Sequence, residues 1–71
     1  MAYLDSHAFG QAVRTARKAQ GLRQDQLAGA AGVGVRFIVD LEAGKPTAQL
    51  EKALKVAATL GIVITIGEGK P

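Results

Sequence analysis

The chain has no cysteine, no tryptophan, one histidine and three other aromatic residues, Tyr3, Phe9 and Phe37. Each shortage excludes something. Without cysteine there is no disulfide, no thiolate metal site and no cysteine nucleophile. His7 alone cannot build a histidine-based metal cluster. No apolar run reaches bilayer length, and the longest, Ile62 to Ile66, is strand-sized. The chain opens Met1-Ala2-Tyr3-Leu4-Asp5, with neither a basic region nor an apolar stretch, so no secretory leader is expected and the cytoplasm is the expected compartment. Catalytic groups are equally sparse. Asp5, Asp25, Asp40, Glu42, Glu51 and Glu68 form no recognisable pair, His7 has no relay beside it, and Gly32-Val33-Gly34 lacks the Gly-Lys-Ser/Thr of a phosphate loop. Neither an enzyme nor a cofactor is expected.

What is present is small, basic and helical in pattern. At 71 residues the chain holds one domain with a small core, which calls for tight helix packing or a partner subunit. The net charge of +3 and a pI of about 9.7 favour a polyanionic partner modestly. A basic domain with no such partner is the bland alternative. The distribution is more telling: Arg14, Arg17, Lys18 and Arg23 cluster in the first third, and Arg36, Lys45, Lys52 and Lys55 follow.

Glycines at 21, 32, 44 and 61 each follow a helical pattern, the position where a left-handed C-terminal residue is favoured. The first helix is expected from Ser6 to Gln20, capped by Asp5 or Ser6, with Phe9, Val13, Ala16 and Gln20 on its apolar stripe, Ala12 beside them and Arg14, Arg17 and Lys18 away from it. The second is expected from Gln24 to Ala31, with Leu27, Ala28 and Ala31 inward. The third is expected from Val35 to Ala43, N-capped by Gly34, with Ile38 and Leu41 inward and Val35, Arg36, Val39 and Asp40 outward. The fourth is expected from Ala48 to Leu60, capped by Thr47, with a stripe of Leu50, Ala53, Leu54, Ala57 and Leu60. Two short helices meeting at Gly32-Val33-Gly34 have the pattern of the DNA-reading helix-turn-helix, whose second helix can enter a major groove.

The tail changes character. Ile62-Val63-Ile64-Thr65-Ile66 is wholly β-branched and bracketed by Gly61 and Gly67. No partner strand is evident elsewhere, and a lone strand leaves its backbone groups unpaired. The simplest solution is pairing with the same strand of a second copy about a two-fold axis, with Ile62, Val63, Ile64, Thr65 and Ile66 as the dimer interface. A frayed tail and a fifth short helix are the alternatives. Residues 1–61 are thus read as the DNA-binding domain and 62–71 as a dimerisation strand and tail.

From Gly21 to Thr47 the chain resembles the Xre-type helix-turn-helix superfamily. The words that carry this are Gly21-Leu22-Arg23-Gln24-Asp25-Gln26-Leu27-Ala28, Ala31-Gly32-Val33 and Ile38-Val39-Asp40-Leu41-Glu42-Ala43-Gly44-Lys45-Pro46-Thr47. More narrowly, Arg17-Lys18-Ala19-Gln20-Gly21-Leu22, Arg36-Phe37-Ile38-Val39-Asp40-Leu41-Glu42 and Gly44-Lys45-Pro46-Thr47 look like HipB-type antitoxins, whose partners are HipA-type serine/threonine kinase toxins. The resemblance implies an all-α, lambda-repressor-like bundle, closed in the dimer by a short C-terminal strand from each subunit. It also implies a homodimeric repressor on a palindromic double-stranded operator, with a HipA-like kinase as second partner. Stand-alone regulators share many of these words, and a protein-binding adaptor that has lost DNA binding is a third reading. Two departures stand out: Arg23 sits where the family usually has Thr or Ser, and Gly34-Val35 where a polar residue often opens the recognition helix.

The expected contacts follow. For base edges they are Gly34, Val35, Arg36, Val39 and Asp40. Arg36, in the first turn of the recognition helix, is the leading candidate for base readout and can grip guanine O6 and N7, with a phosphate contact or a solvated charge as the alternative. Val35 and Val39 can meet thymine methyls or simply pack, and Gly34 permits close backbone approach. Asp40 admits two roles, accepting from cytosine N4 or repelling phosphates. For phosphates the candidates are Arg23, Lys45, Thr47 and Arg14 and, by the superfamily resemblance, Gln24 at the start of helix two. Phe37 is read as core packing, with DNA contact as the alternative.

Overall fold

The computed structural model describes residues 5–46 and 49–63. These form four helices: α1 Ser6–Ala19, α2 Gln24–Ala31, α3 Val35–Glu42 and α4 Leu50–Leu60. Among the described residues there is no strand. Each helix sends one side chain to the centre. Val13 of α1, Leu27 of α2, Ile38 of α3 and Val56 of α4 are the fully buried side chains of the core. Ala28, Ala31, Leu41, Ala53 and Leu60 complete it, with Phe9, Ala16, Leu22, Val33, Phe37 and Ile62 half-buried around the rim. Small residues on the inner faces of α2 and α4 let short helices approach closely, which is how so few residues exclude water.

Local chemistry sets the ends. The Asp5 carboxylate caps α1 by accepting from the Ala8 N–H at 2.7 Å. All four helices stop by the same device, a glycine at positive φ whose successor's N–H turns back to a carbonyl one turn earlier. Leu22 thus donates to Arg17 O, Val33 to Ala28 O, Lys45 to Asp40 O and Ile62 to Ala57 O, at 2.9–3.1 Å. In three of the four the returning residue is apolar and packs on the core. In α3 it is Lys45, which is exposed.

Three expectations require correction. Arg17 does not lie away from the buried stripe of α1; it is 8% exposed and faces α3. Ala12 and Gln20 are exposed instead, although Gln20 Nε2 donates to Leu60 O at 2.8 Å and ties the end of α1 to the end of α4. On α4, Leu50 and Leu54 are 67% and 44% exposed, and the stripe turns toward Val56. Leucine hydrophobicity suggested one arc, but the four positions Ala53, Val56, Ala57 and Leu60 satisfy the i, i+3, i+4, i+7 pattern on another. Finally, α4 starts at Leu50 with Gln49 as N-cap, two residues later than expected. Thr47 and Ala48 lie outside the described residues.

Gly10 is the hidden constraint of the packing. A Cβ there would collide with the Leu41 carbonyl oxygen, so α1 and α3 touch backbone to side-chain-free backbone. Ile62 packs against the chain's own core, while Val63 is 85% exposed. Ile64, Thr65 and Ile66 lie outside the described residues, and the expected strand with them.

Candidate nucleic-acid interface

The bihelical unit is built from its turn outward. Gly32 ends α2 at φ 73°, a conformation open to glycine and strained for other residues. Val33 follows with its side chain half-buried against the core, which fixes the angle at which the chain leaves. Gly34 then returns to an extended conformation and N-caps α3 without a side-chain bond. Ile38 and Leu41 anchor α3 inward, so helical spacing presents Val35, Arg36, Val39 and Asp40 on the other side. Val35 is 45% exposed and Arg36 is exposed, while Val39 and Asp40 are half-buried. Phe37 sits at the core rim and lines a shallow cleft with Asp40, Leu41, Lys45, Pro46 and Gln49, and Lys52 Nζ lies 6.0 Å from its ring centroid.

The structure brings three of the expected contact residues together. Asp40 Oδ1 lies 3.6 Å from Arg36 Nε and 3.5 Å from Lys45 Nζ, so one carboxylate bridges two cations. The Lys45 backbone is held to the same residue by its N–H bond to Asp40 O at 3.1 Å. Arg36 and Lys45 nevertheless remain largely exposed, at 81% and 61% of their side-chain surface.

The start of α2 holds a second group. Arg23 is the N-cap, and although its side chain cannot accept a backbone bond, Gln26 Oε1 accepts the Arg23 N–H at 2.8 Å. Half of a capping box therefore survives the departure at Arg23. The Arg23 guanidinium pairs with Asp25 at 3.0 Å, and this hydrogen bond holds the Asp25 carboxyl below its ordinary range. Gln24 is half-buried, and its Nε2 donates to Glu42 Oε1 at 3.2 Å. Arg14 is exposed on α1. Thr47 falls outside the described residues.

Sequence reasoning missed the group that positions these residues. Arg17 Nε donates to Glu42 Oε2 at 2.6 Å and Nη2 to Glu42 Oε1 at 3.1 Å, a bidentate pair whose side chains are 10% and 4% exposed. Arg17 Nη1 also donates to Leu22 O at 2.8 Å. One ion pair thereby joins the end of α1, the lead into α2 and the last turn of α3. The available signal was the arginine's position one turn after Val13 on the same face, which its charge outweighed.

Comparison with known proteins agrees with this geometry. The helix-turn-helix family model matches residues 13–64. The uncharacterized HTH-type transcriptional regulator y4mF of Sinorhizobium fredii is 68% identical over 58 residues, covering 82% of this chain and 76% of that protein. The HTH-type transcriptional regulator DdrOP3 of Deinococcus deserti is 38% identical over 52 residues, and there the match spans 73% of this chain but only 40% of the relative. Among solved structures, the restriction-modification controller protein C.AhdI of Aeromonas hydrophila superposes with a TM-score of 0.73 at 36% identity, over 83% of this chain and 86% of that one. A turn shaped by Gly32 to Gly34, an outward-facing α3 and these relatives lead to one assignment: the chain belongs to the Xre-type helix-turn-helix family of transcriptional regulators.

Proposed function

We propose that the chain is a sequence-specific DNA-binding repressor that acts as a homodimer on a palindromic operator. The observation that carries this is the outward face of α3, where Val35 and Arg36 are exposed on a helix anchored by Ile38 and Leu41. In this reading α3 enters the major groove. Arg36 reads guanine, Val35 and Val39 meet thymine methyls, and Gly34 and Asp40 lie against base edges. Arg23, Gln24, Lys45, Thr47 and Arg14 line the phosphates. In this reading the two-fold copy sets a second α3 about one turn (~34–36 Å), or a multiple of it, along the duplex. Titration of the region upstream of its own gene, beside a scrambled duplex and at two salt concentrations, tests this. Tight, salt-sensitive binding with a preference for the upstream duplex is expected. Equal weak binding to both would sink it.

The likeness to a protein named as a restriction-modification controller supports a stand-alone regulator. A second reading, an antitoxin that neutralises a HipA-like serine/threonine kinase, draws its support from the words Arg36 to Glu42 and Gly44 to Thr47 and from the β-branched run Ile62 to Ile66. Co-expression with any kinase encoded in the adjacent reading frame separates the two. A stable complex and relief of kinase toxicity favour the antitoxin, and their absence leaves the stand-alone regulator.

A further inference from the structure

The carboxylate of Asp40 sits in an unexpected place for a protein that binds a polyanion. It lies on the half-buried flank of the recognition helix, between two exposed cations, and uses the same oxygen toward both, at 3.6 Å from Arg36 Nε and 3.5 Å from Lys45 Nζ. Its position is not accidental to the backbone. The glycine-terminated ends of α1, α2 and α4 each fold back an apolar residue, Leu22, Val33 and Ile62. At the end of α3 the returning residue is Lys45, and the hydrophobic contact that usually accompanies such an end is replaced by an ion pair with Asp40. The turn thus delivers a cation to the carboxylate from one side, and the i, i+4 spacing delivers Arg36 from the other.

We infer that Asp40 is a specificity-determining residue that works by suppressing sequence-independent binding. The inference rests on the DNA-binding reading above. Two free cations at the head and foot of α3 would add phosphate contacts on any duplex, each steepening the salt dependence by about 0.9 of a unit. With Asp40 between them, the three groups carry a net charge of +1, where the two cations alone would carry +2, and their attraction for any phosphate is correspondingly weaker. On a loosely held, non-cognate duplex nothing replaces the attraction that is lost. On the cognate site α3 seats in the groove, Arg36 turns to guanine O6 and N7, and the carboxylate accepts from the N4 amino group of a cytosine. The penalty is relieved only where the base sequence supplies that donor.

Asp40→Asn tests the inference because it removes the charge and keeps the shape. The probes are a duplex of the upstream region and a scrambled duplex of the same composition, each titrated across a series of salt concentrations. The substitution should tighten binding to the scrambled duplex about three- to tenfold at low salt and steepen its salt slope by about one unit. Binding to the upstream duplex should weaken, because the charged acceptor facing cytosine N4 is lost, so the ratio of the two affinities falls by about tenfold or more. Asp40→Glu, which keeps the charge, should keep the scrambled duplex weak. Lys45→Gln should weaken both duplexes by the same factor, as a simple phosphate contact does. Equal tightening on both duplexes by Asp40→Asn, or no change on either, overturns the inference. Failure of the wild-type chain to bind either duplex overturns it together with the DNA-binding reading, and that outcome is visible before any variant is made.

Discussion

Arg17 and Glu42 are the residues on which the site's geometry turns. Their bidentate bond is almost wholly withdrawn from water, and each partner makes one further bond, Arg17 to Leu22 O and Glu42 from Gln24 Nε2. A buried pair of this kind contributes little net stability against an apolar replacement, but breaking it from one side leaves an unpaired buried charge. Arg17→Met is therefore expected to lose about 3–5 kcal/mol in urea denaturation. The double variant Arg17→Met with Glu42→Leu should be less destabilised than Arg17→Met alone. A double variant that is worse than both singles would show that the pair contributes more than charge balance. Arg36 belongs at the opposite extreme. At 81% side-chain exposure, with a half-exposed partner, it should be nearly silent in folding, yet Arg36→Ala should cost about 1–3 kcal/mol of operator affinity and relax the preference at one base pair. Thermal unfolding and duplex titration on the same sample separate these effects.

Two glycines inside helices look alike in the sequence and differ completely in their elements. Gly10 of α1 faces the carbonyl of Leu41, with no space for even a methyl group. Gly29 of α2 has open space around the same position and an ordinary helical backbone. Gly10→Ala should thus push α1 from α3 and destabilise the domain by about 1–3 kcal/mol. Gly29→Ala should stabilise it by about 0.5–1 kcal/mol, since alanine gains helix propensity and meets nothing. Chemical denaturation of the two variants beside the wild type gives opposite signs if the packing is as described. The same contrast shows why α4 was misread at its outer face. Leu50 and Leu54 have the hydrophobicity of core residues, but Val56 and the small Ala53 and Ala57 have the positions.

At the scale of the molecule, a domain of this length has a total stability of roughly 4–10 kcal/mol, so a second copy that buries the remaining apolar surface has a large effect. Leu50, Leu54 and Val63 are the exposed large side chains nearest the C-terminal half of the described chain. The proposed dimer strand places Ile64, which lies outside the described residues, at its centre. Ile64→Lys is expected to shift the chain toward monomer in sedimentation and to weaken operator binding in parallel, since each half-site then binds alone. An unchanged mass in solution argues against the strand as the dimer seam.

Helix content, helix order and the turn between α2 and α3 were legible in the residues themselves. They depend on local rules: Asp5 as a cap, glycine at the left-handed ends, and Leu27, Ala28, Ile38 and Leu41 at 3.6-residue spacing. These rules act within a few residues, so a linear reading contains them. The outward face of α3 followed from the same spacing, and with it the candidate base-reading residues. What the linear reading did not contain was every relation across 18 residues or more: Arg17 with Glu42, Gln24 with Glu42, and Gly10 against Leu41. It also missed the shared carboxylate, because Asp40 meets Lys45 only after the glycine turn brings the chain back. Short-range periodicity determined the elements, whereas the pairing of charges and the tolerance for a side chain depend on which surfaces meet, and only the packed bundle decides that.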